Sequence, residues 1–135
     1  MYLVISTLPH FCSILPLIKY YETYAFGYTN IVLLSTISSI LYHLYEESNY
    51  TINIIDYFCA GVWLIYDIYM GYTYTNRITL LKILLVNTMS FFINIHIPYN
   101  VYYQLNHSLW HCINAYKCYY ISKHISIGIA NLKLA

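Results

Sequence analysis

The sequence predicts an all-α integral membrane protein, a single transmembrane bundle of about five helices over residues 1–135, with its N-terminus outside and its C-terminus in the cytoplasm. Composition is the first reason. Hydrophobic residues make up 60% of the chain and charged residues 8%, against roughly 25% charged in a soluble domain. The second is five apolar stretches, each near the ~20 residues that cross a hydrocarbon core. The third is the placement of the basic residues, which alternates from one connection to the next as a five-span chain requires. A net charge of +1 gives no indication of nucleic acid or of an acidic partner.

The first span covers about residues 2–18. Pro9 and Pro16 make it short and kinked, which membrane helices tolerate when neighbours satisfy the freed carbonyls. The second runs over about 24–45 and the third over about 52–72. The fourth takes about 78–97, with Lys82 near enough to its start to snorkel. The fifth covers about 104–125. Asn106, His107, His111, Asn114 and Lys117 make it only moderately apolar, as expected of a helix face turned toward protein or a cavity. Nothing basic precedes the first apolar run and no small-residue cleavage site follows it, so no cleavable signal is expected.

Lys and Arg are retained on the cytoplasmic side of a membrane. Lys19 falls in the first connection, Arg77 and nearby Lys82 in the third, and Lys117, Lys123 and Lys133 in the tail, which places all six basic residues on one side. Cys12, Cys59, Cys112 and Cys118 lie in apolar stretches without CxxC spacing and read as small buried hydrophobes. The nineteen tyrosines, with abundant Ile and Asn, suggest codon bias in an AT-rich genome.

Against this background the polar residues within the spans stand out. Ser39 and His43 in SSILYH, and His107 and His111 in HSLWH, are each four apart and so share one helix face. His43 closes the second span, Asp56 opens the third and His107 opens the fifth, all toward the non-cytoplasmic surface. At 1.5 Å per residue their depths differ by only about 6–8 Å. Three imidazoles leave the fourth position of a tetrahedral zinc open, which makes His43, His107 and His111 the candidate ligands. Zinc held in this way supplies a Lewis acid and a water of lowered pKa. Asp56 would orient or deprotonate the water, and Ser39 would hydrogen-bond it or the developing oxyanion. The expected chemistry is hydrolysis of an amide or ester in a lipid. Taken singly, each residue also has a structural explanation: Asp56 favours the positive end of its helix, and HxxxH is a weak motif alone.

SxxxH near the end of one span, Asp at the start of the next and HxxxH at the start of the last together resemble the CREST superfamily of membrane hydrolases. The segments SSILYH, the one around Asp56, and HSLWHCINAY are most similar to those of the alkaline ceramidases. The resemblance covers mainly the second, third and fifth spans, about half the chain. It implies zinc on His43, His107 and His111, Ser39 and Asp56 around the reacting water, and a ceramide-like lipid substrate in an endoplasmic reticulum, Golgi-type or other cellular membrane. The family has seven spans, three of them between the aspartate and HxxxH spans, where only one fits here. Loss of an even number keeps the HxxxH motif on the same side. A bundle shortened in this way would bind a smaller lipid, complete its wall as a homodimer, or keep the metal without activity.

Other residues are read more simply. His96 is expected at an interface, while His10 in mid-span and His124 in the cytoplasm should not reach the site. Asp67 is expected to pair with Arg77 or Lys82, Glu46 and Glu47 to form a solvated outer turn, and Trp110 to join an aromatic belt. Asn49 with Thr51 and Asn106 with Ser108 form sequons too close to the membrane to be used. The alternatives to a lipid hydrolase are a haem-binding protein using His43 with His107 or His111, a small pore, and a pseudoenzyme acting as receptor or scaffold.

Overall fold

A computed structural model describes residues 2–45, 49–98 and 101–134. Helix is the only regular structure among them: α1 (Tyr2–Thr7), α2 (Pro9–Ser13), a 3₁₀ turn (Leu15–Leu17), α3 (Thr23–Leu44), α4 (Tyr50–Tyr74), α5 (Arg77–His96) and α6 (Val101–Leu132). The expected turn at Glu46 and Glu47 lies outside the described residues.

Three helices, α3, α4 and α5, are long and apolar enough to cross a membrane. They correspond to the second, third and fourth predicted spans. Asn49 and Asn76 set the starts of α4 and α5: each side-chain oxygen accepts two backbone N–H groups at 3.1 Å, replacing partners that the first helical turn lacks.

The first and fifth predicted spans take a different form. Residues 2–18 are broken into α1, α2 and the 3₁₀ turn, because neither Pro9 nor Pro16 can donate to the preceding turn. The fifth is longer than predicted, 32 residues rather than the 104–125 segment, or about 48 Å at 1.5 Å per residue. It is not among the helices apolar enough to cross a membrane on their own composition. Instead α6 packs against α1, α2, the 3₁₀ turn, α4 and α5, while making little direct backbone contact with α3. The broken N-terminal segment fills the space between α3 and α6 and touches both.

The buried stripe of α6 changes character along its length. His107, Ser108, His111, Asn114, Lys117 and Cys118 form its first half, and Ile121, Ile125 and Ile129 its second. The apolar half meets Leu17, Ala25, Tyr28, Val32 and Met70 in the main core. Hydroxyl groups along the helices bond back to their own carbonyls, as at Thr36 to Val32 (2.7 Å), Thr75 to Gly71 (2.7 Å) and Ser108 to Gln104 (2.8 Å). Such bonds leave few polar atoms for lipid to desolvate. At one end of the bundle Tyr24 stacks on Tyr74 and Lys133 pairs with Glu22 at 2.8 Å. Residues of the first connection and of the end of the chain therefore lie together.

Lys117 is a correction to the expected charge pattern. It lies in the interior of α6, not in a tail, and pairs with Asp67 at 2.6 Å, with side-chain exposures of 4% and 0%. Asp67 consequently does not pair with Arg77 or Lys82. The Arg77 guanidinium instead stacks over the Tyr72 ring at 4.1 Å. The packing of α6 against α4 is the physical reason: Lys117, already within the predicted 104–125 segment, lies near the midpoint of α6, where a buried carboxylate balances it.

Candidate metal centre

The first half of the α6 stripe faces the end of α3. His107 and His111, one turn apart on α6, meet His43 in the last turn of α3, and one ring nitrogen from each lies within 4.8 Å of the others. The three rings are 4.7–5.3 Å apart between centroids. Their residue exposures are 5%, 8% and 1% for His43, His107 and His111. The group can therefore hold a metal ion away from bulk water.

The spacing fits tetrahedral nitrogen ligation in part. His43 Nε2 and His111 Nε2 are 3.1 Å apart, close to the ~3.3 Å edge implied by metal–nitrogen bonds of about 2.0–2.1 Å. Without an ion this contact is a hydrogen bond, one ring donating and the other accepting. With an ion, both lone pairs turn inward.

Neighbouring residues orient the rings. Asn94 on α5 meets His107 Nδ1 through its amide nitrogen at 2.6 Å, and its own carbonyl oxygen is buried without a hydrogen bond. Turning the amide by 180° would let that oxygen accept from Nδ1–H and leave the Nε2 lone pair of His107 for a metal. A buried polar partner of this kind fixes the tautomer of a ligating histidine. Trp110 packs against both His107 and His111, at 5.4 and 5.1 Å between ring centroids, so it belongs to the wall of the site as well as to the end of the helix.

His10 corrects another expectation. It was not expected to reach the site, yet its Nε2–H donates to the backbone carbonyl of His111 at 3.1 Å. Its ring lies 5.4 Å from that of His111 and edge-on to Trp63 at 5.1 Å. The break at Pro9 produces this, because α2 can turn into the gap between α3 and α6 as a straight helix could not.

Ser39 is buried one turn before His43. Asp56, half-buried near the start of α4, accepts a hydrogen bond from Ser38 Oγ at 3.0 Å, so its link to α3 runs through the serine next to Ser39. His96 is exposed and bonds to the Phe92 carbonyl at 2.8 Å; His124 likewise bonds to that of Tyr120 at 2.8 Å.

A second polar group lies deeper between the helices. Tyr28 donates to Asp67 at 2.6 Å, and Asn114 Oδ1 accepts from both Lys117 and Asn87, each at 2.9 Å. The Lys117 ammonium also lies 5.1 Å from the centre of the Trp63 ring. The polar surroundings supplied by Asn94, Ser38 and His10 were not foreseen from sequence. A signal for Asn94 exists: Asn87 and Asn94 are seven apart on α5, as are His107 and Asn114 on α6, which suits two antiparallel helices pairing polar residues every second turn.

No family model, curated protein or solved structure matches the chain.

Proposed function

We propose that the protein is a zinc-dependent intramembrane hydrolase that cleaves the amide bond of a ceramide-like lipid, with the metal centre on the non-cytoplasmic side. One observation carries the proposal: three nearly buried imidazoles from two sequence-distant helices converge on one point. Ionisable groups are seldom spent inside a membrane bundle without function. His43, His107 and His111 would hold the ion, with Asn94 fixing the ring of His107. Zinc would supply a Lewis acid for the carbonyl and an acidified water. Asp56, held by Ser38, would take the proton from the attacking water and return it to the leaving amine as the C–N bond breaks. Ser39 would donate to the developing oxyanion. The resemblance of SSILYH and HSLWHCINAY to the alkaline ceramidases supports the choice of substrate. The haem alternative on His43 and His111 fits less well, because 3.1 Å between their Nε2 atoms leaves no room for a macrocycle between the rings.

Metal analysis of the purified protein is the primary test. About one zinc per chain is expected in the wild type and none in His107→Ala, and a wild type without metal would end the proposal. Ceramide turnover by the wild type but not by Asp56→Ala then tests the chemistry. Zinc without turnover would leave a metal-binding protein and reject the enzyme.

A further inference from the structure

Asn94 with His107 and Asn87 with Asn114 set the antiparallel register of α5 against α6. Along their seam lies a groove of about 360 Å³, lined by Lys82, Ile83, Val86, Cys112, Ile113 and Tyr116. Lys82 is its one charged lining residue. The register sets Lys82 level with Tyr119, and Lys123 lies one turn further toward the end where α5 begins. Lys123 is also seven residues from Tyr116 and therefore on nearly the same side of α6. Both lysines are exposed.

Among the described residues no carboxylate pairs with either lysine. Among the described residues Glu22 is taken by Lys133, Asp67 by Lys117 and Asp56 by Ser38. Lys82 stands five residues inside a helix apolar enough to cross a membrane, where an ammonium needs a counter-charge or a route to the interface. An apolar groove with cations at one end complements a phospholipid, with an acyl chain along the groove and a phosphate at its mouth.

We propose that the α5–α6 groove binds one anionic phospholipid, its acyl chain against Ile83, Val86, Ile113 and Tyr116 and its headgroup on Lys82 and Lys123. This site is separate from the metal centre and does not depend on it. Native mass spectrometry of the protein released from bilayers of equal phosphatidylglycerol and phosphatidylcholine tests the proposal. Wild type should retain one phosphatidylglycerol in preference to phosphatidylcholine. Lys82→Gln and Lys123→Gln should each lower that preference about fivefold, the factor corresponding to ~1 kcal/mol per basic residue. Val86→Trp, which fills the groove but leaves both charges, should lose the bound lipid while circular dichroism stays helical. Equal retention of the two lipids would overturn the proposal, as would retention unchanged by Val86→Trp. Rapid Cys112–Cys112 cross-linking between copies at high lipid dilution would do the same, because the groove would then hold a second chain.

Discussion

Replacing Lys117 by methionine keeps most of the side-chain length and removes the ammonium from a fully enclosed pair. Asp67, with no exposed side-chain surface, would then retain the Tyr28 hydroxyl at 2.6 Å but no counter-charge. Breaking a buried ion pair from one side costs about 3–5 kcal/mol, a large part of the roughly 5–15 kcal/mol that stabilises a typical folded domain. Asp67→Asn should cost less, since Lys117 would keep the Asn114 oxygen at 2.9 Å and the face of Trp63. The double variant Asp67→Asn with Lys117→Met leaves no unbalanced charge and should recover most of the loss. Equilibrium unfolding of the four proteins in one detergent, followed by tryptophan fluorescence, measures the cycle. A coupling of at least ~2 kcal/mol is expected, well above the ~0.6 kcal/mol average for hydrogen bonds in a membrane protein. A coupling at or below that average would refute the reasoning and make the pair two independent polar residues.

Other perturbations probe different parts of the bundle. Asn94→Leu removes the partner of His107 Nδ1 and should weaken zinc binding about 10–100-fold, measured by competition with a chromogenic chelator, while the helix content is unchanged. Gly128→Ala would place a Cβ 2.9 Å from the Tyr74 ring, itself stacked on Tyr24, and should destabilise by about 1–3 kcal/mol in the same unfolding assay. At the end of the bundle, Lys133 holds the Glu22 carboxyl below its ordinary range. The pair's stabilising contribution is thus present above the ordinary carboxylate range and is lost as pH falls through the lowered value. Amide protection in the last turn of α6, taken relative to the intrinsic exchange rate at each pH, should fall on that descent in the wild type and show no such step in Lys133→Gln.

Much of the bundle was legible because composition and hydropathy act locally. The apolar runs that became α3, α4 and α5 needed only their length, and the asparagines that cap α4 and α5 stand at the expected boundaries. The convergence of His43 with His107 and His111 was legible at the level of depth, from span ends and spacing. What sequence did not yield depends on rotation and packing. Lys117 lies within the predicted fifth span yet counts with the cytoplasmic cations until the packing of α6 shows it paired with Asp67, and His10 looks remote until the break at Pro9 turns α2 inward. The four-residue spacing to His43 singles out Ser39, and only the azimuth of α3 against α4 decides that Ser38 is the serine that meets Asp56.

The N-terminal segment helps to enclose the buried polar centre. α3 and α6 carry all three candidate ligands yet make little direct backbone contact, so something must occupy the space beside the site and exclude water and lipid. A straight fifteen-residue helix there would run parallel to both neighbours and present one continuous stripe. The chain broken at Pro9 and Pro16 instead gives two short helices and a tight turn that follow the gap, burying Leu3, Thr7, His10, Ser13, Ile14 and Leu17. His10 then ties this filler to the backbone of the ligand-bearing helix at His111. Helix-breaking residues that weaken the segment as an independent span are thus what let it serve as a wall beside the polar interior.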